Sequence, residues 1–184
     1  MALAIQPLED AQLQAGVERD LQEMDELLSQ FVEWVRDGQD EKLIPVDLVA
    51  LCEEVALSDI EQWTLGLPDE QACVMAPPIA LRRAVSNLLQ TPASMDGGRL
   101  SCMVREAGTW VVEVKDQGPT VPPENGHTLL EPFTGCGARA GAGLGLAVAH
   151  RVAKRMGGNL EFRAGDGGRG WNVRLHLPTP KALS

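Results

Sequence analysis

The chain has 184 residues, of which 44% are hydrophobic, and a formal net charge of −10. This size and apolar content suffice for one domain with a sizeable core, alone or with an extension. The negative charge argues against a nucleic-acid-binding surface. The sequence shows no apolar run of transmembrane length and no signal-peptide pattern. Its four cysteines lack C-x-x-C spacing, which favours free thiols in a reducing compartment.

The N-terminal part of the chain carries a heptad pattern between Ala11 and Asp37. Apolar residues recur there at steps of three and four, at Leu13, Val17, Leu21, Met24, Leu28, Phe31 and Val35. Such a narrow seam is typical of helices that pair in a coiled coil. We therefore expect a homodimer through the Leu13–Val35 helix. An amphipathic helix packed on its own domain would be the alternative.

Short strand and helix patterns follow. Leu43–Val46 predicts a strand, and Asp47–Ala56 predicts a helix with Asp47 as its N-cap. Trp63–Leu67 and Ala72–Met75 predict two further strands.

A second helix is predicted from Pro77-Pro78 to Gln90, since proline suits the first turn of a helix. Its core stripe consists of Leu81, Val85, Leu88 and Leu89. Asn87 and Thr91 lie four residues apart on an adjacent stripe, so they face the same way.

The second half of the chain contains four more strand patterns, at Leu100–Val104, Thr109–Val114, Leu160–Arg163 and Trp171–Leu177. Residues 117–140 hold four glycines and four prolines and show little periodicity. A structureless stretch of that length in a compact domain is usually a functional lid. Asn172, Arg174 and His176 alternate with apolar residues in the last strand, which predicts a sheet with one polar face.

Gly141, Gly143 and Gly145 alternate just before an apolar helix, Leu144–Met156, that Gly157-Gly158 should end. Glycines remove side chains where a backbone must approach another group closely. The N-terminus of the helix that follows favours a phosphate. Such a glycine run can also be an ordinary tight turn before a core helix.

Four motifs occur in a fixed order: Asn87 in its helix, Asp116-Gln117-Gly118 after a strand, Glu131-Pro132-Phe133, and the glycine run. This order resembles the N, G1, F and G2 boxes of the ATP-binding domain of sensor histidine kinases, with the EnvZ type the most similar. Those kinases belong to the wider group of gyrase, chaperone, histidine kinase and mismatch-repair ATPases (GHKL). The resemblance extends over residues 8–178.

The resemblance implies an α+β fold, a two-layer α/β sandwich with a mixed sheet (the Bergerat ATP-binding fold), preceded by a dimerisation helix. Residues 1–42 would form part of the dimerisation and phosphoacceptor hairpin, mostly its second helix. Residues 43–180 would form the ATP-binding catalytic domain.

The resemblance also assigns roles in binding ATP and Mg²⁺. Asp116 would accept the adenine amino group, Gly118 would let the backbone pass the base, and Phe133 would anchor the lid. The phosphates would lie against Gly141, Gly143, Leu144 and Gly145, with Arg139 as the lid cation. Asn87 would hold Mg²⁺ with weak help from Thr91, and it is the one catalytic candidate.

The N box departs from the family pattern in three places. Thr91 stands where a second asparagine should hold Mg²⁺, Ser94 replaces a basic residue, and Met95 replaces an aromatic one. Thr120 also replaces a glycine of the G1 box. Since phosphoryl transfer depends on metal and cations, these changes predict weak magnesium binding and slow transfer.

Two functions therefore remain open. The chain would be the catalytic region of a two-component sensor histidine kinase, phosphorylating a histidine and then a response-regulator receiver domain. The alternative is a pseudokinase, a dimeric nucleotide-binding module with little or no transfer. A serine-directed anti-sigma kinase is disfavoured by the heptad helix.

The phosphoacceptor histidine has no counterpart in this sequence, whose three histidines lie in other settings. We expect the sequence to begin downstream of that residue, with natural loss as the alternative. By resemblance the region is cytoplasmic, and a bacterial inner-membrane anchor would belong to missing N-terminal regions.

Overall fold

A computed structural model describes residues 13–19, 21–22, 24–25, 32, 41–58, 63–90, 99–106, 108–116, 128–132, 144–165 and 170–179. The chain divides into two compact units, residues 1–35 and residues 36–184. The predicted division of functional domains at residues 42 and 43 stays a prediction.

The described residues of the first unit are all helical. The predicted seam residues among them are more than half exposed, namely Leu13, Val17, Leu21 and Met24. Leu28, Phe31 and Val35 lie outside the described residues.

The second unit alternates short strands with helices. Its elements, in chain order, are β1 (Ile44–Asp47), α1 (Leu48–Ser58), β2 (Trp63–Gly66), β3 (Cys73–Ala76), α2 (Pro78–Gln90), β4 (Arg99–Glu106), β5 (Thr109–Asp116), a 3₁₀ turn (Thr128–Leu130), α3 (Gly145–Arg155), β6 (Asn159–Ala164) and β7 (Trp171–Pro178). Each helix and strand predicted between residues 43 and 178 is present, with ends that differ by at most two residues. The 3₁₀ turn corrects the expectation that residues 117–140 carry no regular structure. Leu129, within this turn, is buried.

The strands form two sheets. A five-stranded sheet has the order β2-β4-β5-β7-β6, in which β2 runs parallel to β4 and the other neighbours are antiparallel. This confirms the predicted mixed sheet. β1 and β3 pair separately as an antiparallel ribbon, a division that the sequence analysis did not foresee.

One face of the large sheet forms the core. In β5, Trp110, Val112 and Val114 are buried on this face, opposite Leu177, Leu175 and Val173 of β7, and Val111 is buried on the other face. α2 contacts β5, and α3 contacts β6 and β7. The predicted stripe of α2, Leu81, Val85, Leu88 and Leu89, is buried as well. The α+β sandwich therefore has its core between these two helices and the sheet.

The opposite face of the sheet is polar, as predicted, but it is less exposed than alternation alone indicates. Arg174 is only 8% exposed, because its guanidinium pairs with Glu106 of β4 and with Glu113 of β5, where Nε and Oε1 are 3.3 Å apart. His176, predicted to face solvent, is half-buried, with Nε2 3.3 Å from Oε2 of Glu161.

The predicted N-cap of α1 is confirmed. Oδ1 of Asp47 accepts the N–H of Val49 at 2.9 Å and that of Ala50 at 3.4 Å. Its Oδ2 accepts a bond from Nε2 of Gln71 at 3.2 Å. Asp47 therefore satisfies two amides of the first helical turn, as an N-cap side chain does.

The predicted end of α3 is confirmed too. Gly157 has φ +75°, and its N–H donates to the Lys154 carbonyl at 3.0 Å, while the Gly158 N–H donates to the Ala153 carbonyl at 2.8 Å. This pair of bonds is a Schellman motif, in which glycine takes the left-handed position. At Gly158, a Cβ would lie 1.9 Å from the carbonyl oxygen of His176, so the chain can pass β7 there only without a side chain.

The described cysteines Cys52 and Cys73 are free thiols. Burial, with a smaller contribution from the charge of Glu53, raises the pKa of Cys52 to about 12. The side chains of Cys102 and Cys136 lie outside the described part. Among the helices that the structure describes, none is both long enough and apolar enough to cross a membrane.

Candidate nucleotide-binding site

The N box and the G2 box meet where α2 and α3 pack together. Asn87 lies half-buried in the last turns of α2, and Gly145 is the first residue of α3. A Cβ built on Gly145 would lie 3.5 Å from Cβ and 3.6 Å from Cγ of Asn87. A methyl group would therefore fit there in ordinary contact, whereas a longer side chain would compete with the Asn87 amide for space.

The N-terminus of α3 is suited to an anion. Leu144 is its N-cap, with φ −93° and ψ −23° and no side-chain cap, because leucine has no polar atom. The first complete helical bond runs from the Val148 N–H to the Leu144 carbonyl at 2.8 Å. The amides ahead of Val148 have no carbonyl partner in such a helix, and they give its start a partial positive charge. A phosphate group at this point would accept hydrogen bonds from these amides and would be attracted by the partial positive charge.

Asp116 is the last residue of β5, and its backbone pairs with Trp171 of β7. The backbone thus ends a central strand at the predicted adenine position, while the Asp116 side chain lies outside what the structure describes. The remaining predicted residues also lie outside the described ranges, namely Thr91, Gly118, Phe133, Arg139, Gly141 and Gly143. The structure therefore brings Asn87, Leu144 and Gly145 together, and the other assignments stay predictions.

The described residues offer little to a metal ion. Within those ranges, no cluster of three or more His, Cys, Asp or Glu side chains could hold one. Asn87 carries an amide oxygen, which is a suitable magnesium ligand, and magnesium commonly takes one or two protein ligands with the rest from phosphate and water. The site therefore fits a magnesium ion held mainly by a nucleotide.

Glu41 and Arg155 were not predicted from the sequence. Glu41 contacts the start of α2, and Arg155 at the end of α3 contacts Glu41. Pro77-Pro78 was the one sequence feature that indicated a distant cap, because two prolines leave a helix without an N-cap side chain of its own.

The family model described as histidine kinase-, DNA gyrase B- and HSP90-like ATPase matches residues 76–181, more than half of the chain. The chain belongs to this ATPase family. The match contains both the Asn87 helix and the glycine run, and it identifies residues 76–181 as an ATPase domain of the GHKL type. The family that the sequence motifs predicted is thereby confirmed.

Relatives and solved structures that resemble this chain include sensor histidine kinases. Sensor histidine kinase GtrS of Pseudomonas aeruginosa is 32% identical over 184 residues, covering 97% of this chain and 38% of GtrS. The NMR structure of the histidine kinase domain of the E. coli osmosensor EnvZ is 28% identical, with a TM-score of 0.61, over 80% of this chain and 95% of that one. Full-length ShkA in complex with AMPPNP has a TM-score of 0.70 at 23% identity, over all of this chain and 41% of ShkA.

This GHKL chain thus carries a catalytic domain like those of sensor histidine kinases. The expected sandwich fold and the similarity to EnvZ are confirmed. The chain spans 38% of the length of GtrS.

Proposed function

We propose that this chain is the catalytic region of a two-component sensor histidine kinase. It binds ATP and transfers the γ-phosphoryl group to a histidine outside this chain, and the phosphoryl group passes on to a response-regulator receiver domain. The observation that supports the proposal is the close approach of Asn87 to Gly145, which brings two family motifs distant in sequence beside each other. As part of the proposal, the region works in the cytoplasm, where ATP is available.

Each residue has a defined part in this function. The amides at the start of α3 bind the phosphates, and Gly145 keeps that approach free of a side chain. Asp116 accepts the adenine amino group and so selects the base. Asn87 provides an amide oxygen for Mg²⁺, which, when bound, neutralises phosphate charge.

We expect the altered N box to affect the rate of phosphoryl transfer more than the affinity for nucleotide. Thr91 and Ser94 replace a metal ligand and a phosphate cation, and each charge-assisted contact contributes roughly 1.5–3 kcal/mol. We therefore expect nucleotide binding with slow transfer. The pseudokinase alternative has less support, because a relative that matches this chain, GtrS, is named a sensor histidine kinase.

Calorimetric titration of the full chain with AMPPNP, with and without Mg²⁺, tests binding. We expect a Kd in the micromolar range or weaker, at best about −8 kcal/mol, and little gain from magnesium. Asp116→Ala should remove most of the affinity, while Asp69→Ala, in an exposed loop, should leave it unchanged. Equal affinity for a guanine nucleotide would exclude Asp116 as the base-selecting residue.

Phosphohistidine formation under saturating ATP, with the histidine-bearing helix supplied, tests transfer. Thr91→Asn together with Ser94→Arg should raise the initial rate more than either change alone, because metal and cation stabilise the same charge. Fast transfer by the unmodified chain, unaffected by both changes, would show that the altered N box is not limiting. No transfer by the unmodified chain, by either single variant or by the double variant would favour the pseudokinase.

The proposal includes a homodimer through the Leu13–Val35 helix. Its support is the exposure of the seam residues Leu13, Val17, Leu21 and Met24 within one chain. Leu21→Glu with Leu28→Glu should give monomers in analytical ultracentrifugation, since burying a leucine contributes roughly 1.5–3 kcal/mol. Gln22→Glu, next to the seam and exposed, is the matched control. A wild-type chain that sediments as a monomer at high concentration would refute the dimer.

A further inference from the structure

The first turn of α2 is capped by Glu41, which precedes β1. Oε2 of Glu41 accepts the N–H of Ile79 at 3.0 Å and that of Ala80 at 3.4 Å. The Leu81 N–H donates to the Pro77 carbonyl at 2.9 Å, which makes Pro77 the N-cap and places Ile79 and Ala80 at positions N2 and N3. Those two amides are the ones that an N-cap side chain ordinarily satisfies.

α2 has no N-cap side chain of its own to do this. Its N-cap Pro77 and its first residue Pro78 carry no side-chain acceptor, and Pro78 has no N–H to satisfy. The two other first-turn donors both go to Glu41, which precedes Ile79 by 38 positions. Glu41 also lies in the segment that follows the boundary between the two units of the chain. The start of α2 therefore depends on a residue from the beginning of the second unit.

The same residue contacts the far end of α3. Nη2 of Arg155, the last residue of α3, donates to the backbone carbonyl of Glu41 at 2.8 Å. At the other ends of the two helices, Asn87 lies against Gly145. α2 and α3 thus run antiparallel, with Glu41 at one end of the pair and the nucleotide-site residues at the other. At 1.5 Å per residue, Ile79 and Asn87 are about 12 Å apart along α2.

We propose that Glu41 is a positioning residue for the nucleotide site, coupling the stretch just before β1 to nucleotide affinity. Its carboxylate fixes the start of α2, and its carbonyl fixes the end of α3. Because the helices pack against each other, holding them together at this end sets how Asn87 and Gly145 meet at the other. By linkage, a nucleotide that needs this arrangement stabilises the Glu41 contacts, and those contacts raise its affinity. The inference rests on the nucleotide binding proposed above.

The test combines amide hydrogen exchange with calorimetric titration of AMPPNP, using the full chain. In Glu41→Ala, exchange at Ile79 and Ala80 should become about five- to tenfold faster, the usual effect of a lost N-cap. The affinity for AMPPNP should fall by a similar factor. In the wild type, AMPPNP should slow exchange at both amides, and in Glu41→Ala it should not.

Two further variants separate positioning from stability. Glu41→Gln keeps an acceptor oxygen and should retain most of the affinity for AMPPNP. If the negative charge of Glu41 were what mattered, Glu41→Gln would lower the affinity as much as Glu41→Ala. Glu70→Ala removes a carboxylate from an exposed loop and should change neither readout. If Glu41→Ala fails to fold, the wild-type arm decides, because bound AMPPNP must still slow exchange at Ile79 and Ala80.

The proposal is overturned if Glu41→Ala exposes both amides and yet binds AMPPNP with wild-type affinity, since the cap would then be purely structural. It is also overturned if AMPPNP binds the wild type without slowing exchange at Ile79 and Ala80. If the wild type binds no AMPPNP at all, the proposed function is refuted together with this proposal. The titration alone identifies that outcome, because in the other two cases AMPPNP binds.

Discussion

Replacing Gly158 with alanine should be the most damaging single-methyl change among the glycines for which the structure shows the surroundings of a Cβ. A Cβ there would lie 1.9 Å from the carbonyl oxygen of His176, 3.1 Å from its carbonyl carbon and 3.2 Å from the oxygen of Ala153. Real Cβ contacts essentially never fall below 3.0 Å, so the first gap must open by 3.0 − 1.9 = 1.1 Å. Both partners are backbone, and no side-chain rotation relieves the clash.

The cost follows from what that movement disrupts. Moving Gly158 away from β7 separates Asn159 from His176, the first pair of the β6–β7 ladder. It also strains the 2.8 Å bond from the Gly158 N–H to Ala153 that ends α3. Overpacking costs about 1–3 kcal/mol and each lost hydrogen bond about 1 kcal/mol. We expect a loss of about 2–4 kcal/mol, which at 2–4 °C per kcal/mol lowers Tm by about 5–15 °C.

Urea denaturation followed by circular dichroism measures this loss, and calorimetry gives Tm. Gly157→Ala is the matched control, because its φ of +75° imposes backbone strain while a Cβ there would meet only Pro178 Cγ at 3.9 Å. It should cost about 1 kcal/mol. A Gly158→Ala variant with an unfolding midpoint equal to that of the wild type would refute the close approach of Gly158 to β7.

Three further outcomes are expected. Gly145→Ala should leave the free energy of unfolding within about 0.5 kcal/mol of the wild-type value, because its methyl group would make ordinary contact with Asn87. Gly145→Leu should weaken AMPPNP binding at least about tenfold in calorimetry, because the longer side chain would obstruct the approach of the phosphates. The hydrogen bond from Arg163 holds the pKa of Glu161 below its ordinary 4.5. Glu161→Gln should therefore lower the free energy of unfolding at neutral pH by roughly 0.2–1 kcal/mol for so exposed a pair, a loss that urea denaturation measures. That difference should vanish as the pH falls through the lowered pKa, because the carboxylate is then protonated in the wild type as well. Since burial raises the pKa of Cys52 to about 12, its thiol stays neutral in the folded state until the pH approaches that value. Iodoacetamide at about pH 8 should label it only as the protein unfolds, a result that mass spectrometry can check.

The features that the sequence predicted well are local ones. The apolar stripe of α2, the Asp47 cap and the glycine stop after α3 each depend on residues within a few positions of one another. Backbone periodicity and capping chemistry determine such features directly. The order of the Asn87, Asp116 and Gly145 motifs sufficed to identify the family, because the motifs are short and their sequence along the chain is distinctive.

The features that the sequence did not predict depend on partners distant in the chain. Alternation along β7 indicated a polar face, but the burial of Arg174 follows from acids that β4 and β5 bring beside it. Strand patterns alone cannot select pairing partners, which is why the separate β1–β3 ribbon was not foreseen. Glu41 reaches α2 through hydrogen bonds to amides of the first turn. Amides that prolines leave without a local cap take whichever acceptor folding brings near, and only the packing of the whole domain determines which one that is.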